Sequence, residues 1–176
     1  MKTNFLSVFS VLLSLILITG CTTDSGFSLQ EPTFDSVPEP FDISGAEEKP
    51  IQDGVVKYIV EEGYGEDSVV IRDDIFLFIT LRNIDGDIIY SSYQNERTSP
   101  IFITVMDVTP RIAQNYDAPR SFTNGLRKGL IGMKEGEKRV LIVPPEEGFA
   151  NIQSGGLTEA FRNDTLRYDL ELNAIF

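Results

Sequence analysis

The chain has 176 residues and no histidine, one cysteine, 27 acidic and 15 basic side chains. Without imidazole, neither the usual nucleophilic triads nor histidine metal sites can be assembled. The single thiol, Cys21, can make no internal disulfide and no thiolate metal cluster. We therefore expect no metal and no cofactor. A formal net charge of −12 argues against a nucleic-acid partner, because nothing here would displace phosphate counterions over a surface. It reads instead as a well-solvated surface. The informative spacing belongs to apolar residues: Leu126, Leu130 and Met133, then Phe149, set among glycines and prolines between Asn124 and Ala150.

Three devices in a row must position them. Leu126 and Leu130, one turn apart with Met133 continuing their face, predict a short amphipathic helix. Glycines at 125, 129 and 132 make it weak by propensity, so packing has to hold it. Lys134-Glu135-Gly136-Glu137 predicts a tight turn with Gly136 at positive φ. Lys138 to Val143 predicts a strand, stopped by Pro144-Pro145, which cannot donate to a ladder. Upstream, Val55 to Val60 predicts a strand ending in the turn-rich Glu61 to Glu66. Asp74 to Arg82 is apolar on both faces, as in a central strand. Asp85-Gly86 then turns the chain into a return strand, Asp87 to Ser92. Ile101 to Val105 is a further strand. Thr165 to Phe176, with Leu166, Tyr168, Leu170 and Leu172 alternating with polar residues, closes the domain.

The stretch Gly125-Leu126, Met133-Lys134-Glu135-Gly136-Glu137-Lys138-Arg139 and Pro144-Pro145-Glu146-Glu147-Gly148-Phe149-Ala150 resembles the FKBP-type peptidyl-prolyl cis-trans isomerases, without a gap. The Tyr58 strand with its Glu-Gly turn, the Asp-Gly hairpin and the final strand extend the likeness over about residues 54–176. The resemblance implies an α+β fold, a curved antiparallel sheet wrapped around a short helix. It also implies an activity, isomerisation of prolyl bonds, with proline-containing polypeptides as partners. The barrier to that rotation is about 20 kcal/mol and arises from amide resonance. Lowering it takes no nucleophile. It takes a dry apolar cradle for the proline ring and hydrogen bonds that favour the twisted amide.

Carried over residue by residue, the family pocket falls on Ile79, Ile89, Tyr90, Ile101, Thr123 (with Phe122 before it), Leu126, Phe149 and Tyr168. Leu126 would form its floor, and the backbone N–H near Thr123 would hold the substrate carbonyl. Ile79 and Phe149 stand where the family carries tyrosine, and Tyr90 stands where it carries a carboxylate. Each lost polar partner costs about 0.5–1.5 kcal/mol, or up to about tenfold in rate. Two readings follow. One is an isomerase, weakened at its polar rim, that assists folding of extracytoplasmic proteins. The other is a weak or inactive FKBP-like domain that binds peptides or partner proteins as a chaperone or assembly factor. A reading in which these residues are only core, with no pocket, ranks below both, because Phe149 falls in a glycine-bearing loop.

The leader is separate. Lys2 precedes an apolar run, Phe5 to Ile18, too short for a membrane helix of about 20 residues. It ends in Leu17-Ile18-Thr19-Gly20-Cys21, which resembles the bacterial lipoprotein signal. The resemblance implies removal of residues 1–20, lipidation of Cys21 and a membrane anchor on the cell envelope. Thr22 after the cysteine favours the outer membrane over retention at the inner one. An ordinary signal peptide or an uncleaved anchor is the alternative. Residues 21–52 are acidic and interrupted by prolines 32, 38, 40 and 50, which predicts an extended, mobile tether, with docking of Phe34 or Phe41 on the domain as the lesser reading. The FKBP-like domain is expected over 53–176, with an insertion near 106–121 that is either a flap or a surface decoration. In it Thr109-Pro110 would start a short helix to about Asn115. The loop from Glu146 to Asp164, with Gly155-Gly156, is expected to be flexible.

Overall fold

The structure, a computed structural model, describes residues 31–107, 111–112, 122–152 and 157–176. The signal segment, Cys21, Thr109-Pro110 and Gly155-Gly156 lie outside them. The strands are β1 (Glu48–Pro50), β2 (Val56–Glu61), β3 (Asp74–Asn83), β4 (Ile88–Ser91), β5 (Ile101–Thr104), β6 (Arg111–Ile112), β7 (Lys138–Val143) and β8 (Leu166–Ile175). Among the described residues two α-helices, α1 (Asn124–Leu130) and α2 (Leu157–Ala160), accompany them. The eight strands form one antiparallel sheet in the order β1-β2-β7-β8-β3-β5-β6, with β4 paired to β3. This is the expected α+β architecture, a curved sheet against a short helix.

β3 is central because it is apolar on both faces. It pairs β8 along its length on one edge, from Ile75↔Ile175 to Asn83↔Leu166. On the other edge it pairs β5 and then β4. Ile75, Leu77, Ile79 and Leu81 turn to one face and are fully buried, joined there by Leu166, Tyr168, Leu170 and Leu172 of β8. The β3–β4 register slips between Leu81↔Tyr90 and Arg82↔Ile88, which leaves Ile89 as the extra residue. Such a bulge lets two consecutive side chains, Ile89 and Tyr90, both reach the interior.

α1 lies against β7, and its glycines show why packing holds it. A Cβ at Gly125 would meet Val143 Cγ1 at 2.4 Å, and one at Gly129 would meet Leu141 Cδ1 at 2.0 Å. The helix sits closer to the strand than any side chain on that face allows. After it, Gly136 takes φ 76°, as the turn requires, and its N–H donates to the Leu172 carbonyl at 2.8 Å.

Three features differ from expectation. Arg111–Ile112 is a strand, not part of a helix: Ile112 pairs with Ile103 and Arg111 with Thr104. β5 would otherwise leave that edge unpaired, and ladder formation outweighs the local capping signal. Secondly, a helix, α2, interrupts the long loop after Pro145. Thirdly, much of the stretch expected to be an extended tether lies against the sheet. The compact unit begins at Pro32, and β1 adds an edge strand to β2. Residues 33–41 cross the other face of the sheet, where charged side chains hold backbone groups of Pro38 and Phe41. Composition alone carried no sign of those distant partners.

Candidate functional site

The start of α1 organises the site. Thr123 is extended (φ −79°, ψ 162°), and its Oγ1 accepts from the Leu126 N–H at 3.1 Å, as a helix N-cap should. The same oxygen lies 3.0 Å from Tyr168 Oη. Tyr168 comes from β8 opposite Leu81, which is opposite Tyr90 on β4. Tyr90 in turn meets the Phe122 ring edge-on, with centroids 5.8 Å apart. Leu126 rises from the first turn of α1, Ile79 from the middle of β3 and Ile101 from the start of β5, opposite Leu77.

The Pro-Pro loop supplies the remaining side chain. Gly148 N–H donates to the Pro144 carbonyl at 2.9 Å and Ala150 N–H to the Pro145 carbonyl at 2.9 Å, which curls the loop and carries Phe149 inward. Glu147 joins this loop to the helix start. Its backbone carbonyl accepts from Gly125 N–H at 2.9 Å, and its carboxylate accepts from Asn124 Nδ2 at 2.6 Å and pairs with Lys128 at 2.8 Å. Lys128 also pairs with Asp53. Motif reading did not single out Glu147 for this role. A loop carboxylate has no periodicity to flag it, and its partners lie about twenty residues back.

At the far end of α1, Arg139 is almost wholly buried. Its Nη1 donates to the Gly129 carbonyl at 2.5 Å and the Ile131 carbonyl at 3.3 Å, and its Nε donates to Glu137 Oε1 at 2.6 Å. A cation on the last carbonyls of a helix opposes its dipole and satisfies groups that have no intrahelical partner.

The structure therefore brings the carried-over residues together. Ile79, Ile89, Tyr90, Ile101, Leu126, Phe149 and Tyr168 share one apolar cluster with Phe122, and Thr123 is tied to it through Tyr168. Each is at most 8% exposed. Phe149, expected in a loop at the rim, is as buried as the strand residues. Two clefts lined by described residues, one around Phe78, Arg82 and Tyr93 and one around Glu66, Asp73 and Phe176, include none of these residues. Burial pushes the Tyr168 phenol well above its ordinary pKa, against the opposing pull of its hydrogen bonds to Thr123. Its proton is thus held at every physiological pH, and the Thr123–Tyr168 hydroxyl pair is a neutral polar spot within an apolar surround. The arrangement offers shape, dryness and neutral hydrogen bonding.

Comparison with known proteins agrees with this geometry. The model of the family described as FKBP-type peptidyl-prolyl cis-trans isomerase matches residues 65–173. Among solved structures, a peptidyl-prolyl cis-trans isomerase from Pseudomonas syringae aligns at 20% identity and a TM-score of 0.55, covering 73% of this chain and 80% of that one. FkpA from Escherichia coli aligns at 26% identity and a TM-score of 0.54, covering 73% of this chain and 51% of that one. The chain thus spans about half the length of FkpA. The N-terminal domain of FKBP42 from Arabidopsis thaliana aligns at 19% identity and a TM-score of 0.59, covering 80% of this chain and 98% of that one. No curated protein matches the chain. The family match spans well over half of the 176 residues, and the chain belongs to the FKBP-type peptidyl-prolyl cis-trans isomerase family.

Proposed function

We propose that the domain accelerates cis-trans isomerisation of prolyl bonds in extracytoplasmic polypeptides, held at a bacterial envelope membrane, with the outer membrane favoured, by lipid on Cys21. The observation that supports the activity is the convergence of Ile79, Ile89, Tyr90, Ile101, Thr123, Leu126, Phe149 and Tyr168 at the start of α1, inside the matched family span. A prolyl ring bound there leaves water, which disfavours the charge-separated planar amide. The backbone N–H near Thr123 is the donor this reading assigns to the substrate carbonyl. No side chain need gain or lose a proton, so the lack of histidine is no obstacle.

The burial of every one of these residues favours a second reading, a domain that binds peptides and turns them over slowly or not at all. A proline ring can enter only if side chains give way, and the opening costs part of the binding energy. Titrating the chain with Xaa-Pro peptides while following cis-trans exchange separates the two. Saturable acceleration is expected for the isomerase, and binding without acceleration establishes the second reading in its place.

The membrane position rests on the leader alone. More than one acyl chain holds a protein stably at a bilayer surface, whereas one does not. Cys21→Ser is expected to move the protein from the membrane to the soluble fraction of its host. A variant that stays membrane-bound would overturn anchoring through that cysteine.

A further inference from the structure

The sheet face opposite α1 carries an arrangement that the isomerase site does not use. Phe78, Thr80 and Arg82 of β3 stand there beside Glu171, Asp169 and Arg167 of β8, in that register. Arg82 and Asp169 are buried and paired, with Nη1 to Oδ2 at 2.9 Å, and Arg167 Nη2 donates to Asp169 Oδ1 at 2.8 Å. Each also holds a backbone group of the leading segment. Arg82 Nη2 donates to the Pro38 carbonyl at 2.8 Å. Asp169 Oδ1 accepts from the Phe41 N–H at 3.1 Å, and Arg167 Nη2 donates to the Phe41 carbonyl at 2.6 Å. Nearer the start, Thr33 N–H donates to Asn95 Oδ1 and Asn95 N–H to the Thr33 carbonyl, both at 2.9 Å. Ser36 Oγ donates to the Tyr93 carbonyl at 2.7 Å. Tyr93 stacks on Phe78, with centroids 5.2 Å apart and planes 12° apart, as an apolar wall.

We propose that this face is a second polypeptide-binding groove, which grips an extended chain by its backbone and is occupied in cis by residues 32–41. The contacts define the ligand. It presents a carbonyl at one position and both an N–H and a carbonyl three positions later, so proline is excluded at the last position and allowed between. Charge-assisted hydrogen bonds to backbone give affinity with little demand on sequence. The resident segment suits release. Pro32, Thr33, Asp35, Ser36, Pro38, Glu39 and Pro40 are exposed, and Phe34, Val37 and Phe41 are only partly buried. When it leaves, Arg82, Asp169 and Arg167 still pair with one another, so no buried charge is stranded. The segment thus belongs to the readily opened part of the structure. It masks the groove until an incoming chain displaces it, and its release lengthens the reach of the domain from whatever precedes residue 32.

Phe41→Pro tests this in the full chain, because it removes the backbone donor and the partly buried ring at that position and leaves the sheet untouched. Hydrogen exchange in the unaltered chain should show the Thr33 and Phe41 amides protected, but less than those of β3 and β8. In Phe41→Pro the Thr33 amide should lose protection while β3 and β8 keep theirs. A synthetic peptide covering residues 32–44 should then bind the variant saturably and the unaltered chain more weakly, because there it must displace the resident segment. The same peptide with proline at the Phe41 position should bind about tenfold more weakly or less. Retained protection of Thr33 in the variant would overturn the clamp. Loss of protection in β3 and β8 would make the segment part of the fold rather than a latch. A released segment with no peptide binding would overturn the groove. A dimer of the unaltered chain that exchanges segments would overturn occupancy in cis.

Discussion

Leu126 and Tyr168 carry opposite kinds of information. Leu126 is fully buried at the first turn of α1, and the proposed function makes it the floor of the proline pocket. Leu126→Ala is expected to remove most isomerase activity. A buried Leu→Ala change also costs about 2–5 kcal/mol, so the variant is compared under conditions where circular dichroism shows it folded. An unchanged rate in the folded variant would refute the floor. Tyr168 makes a prediction about pH. Its pKa is raised in the folded chain, chiefly by burial, so the folded state binds the phenolic proton more tightly than the unfolded one. The stability this gives is fully present below the unfolded value of about 10 and is lost as pH rises beyond it. Thermal melts on either side of that pH should show a steeper alkaline loss for the unaltered chain than for Tyr168→Phe, and equal losses would contradict it. The identities of the cluster residues were legible because motif spacing survives substitution. The bond between Thr123 and Tyr168 was not, because forty-five residues separate two hydroxyls that no local pattern connects.

At the scale of elements, α1 is held by contact and not by propensity. Gly129→Ala improves intrinsic helix propensity by about 1 kcal/mol. The new Cβ, however, would stand 2.0 Å from Leu141 Cδ1 and 2.8 Å from its Cγ, so the buried Leu141 side chain or the helix must shift. Overpacking of this kind costs about 1–3 kcal/mol, and a net fall in melting temperature is expected. A rise would mean that the helix is free to shift. Arg139 and Lys138 are neighbours with unequal weight. Arg139→Ala strands Glu137 and the carbonyls at the end of α1 in the interior, at a cost of about 3–5 kcal/mol. Lys138→Ala breaks a pair whose Glu61 partner is 59% exposed, and denaturant melts should register at most about 1 kcal/mol. Helix, turn and strand between residues 124 and 143 were legible because each carries its own local signal: leucines one turn apart, a glycine at positive φ, two prolines. β6 and the segment over residues 33–41 were not. β6 exists because β5 offers an open edge, and the segment is fixed by Arg82, Arg167 and Asp169, whose polar character reads locally as ordinary solvated strand face.

For the molecule as a whole, one sheet serves two faces. One face packs with α1 around the cluster proposed to bind proline, and the other holds the chain's own leading segment. The family fold persists although Ile79, Tyr90 and Phe149 stand where the resemblance implies other polar groups, which follows if the scaffold depends on the apolar packing these buried residues provide. Activity is the property exposed to the change, since several lost hydrogen bonds of about 0.5–1.5 kcal/mol each multiply as rate factors. The most direct test is cis-trans exchange of an Xaa-Pro peptide, followed by NMR without a coupling protease, in the presence of the chain at increasing concentration. The exchange rate is expected to rise with protein concentration, weakly, and to fall back in the folded Leu126→Ala variant. An exchange rate equal to the uncatalysed one at the highest protein concentration would contradict it.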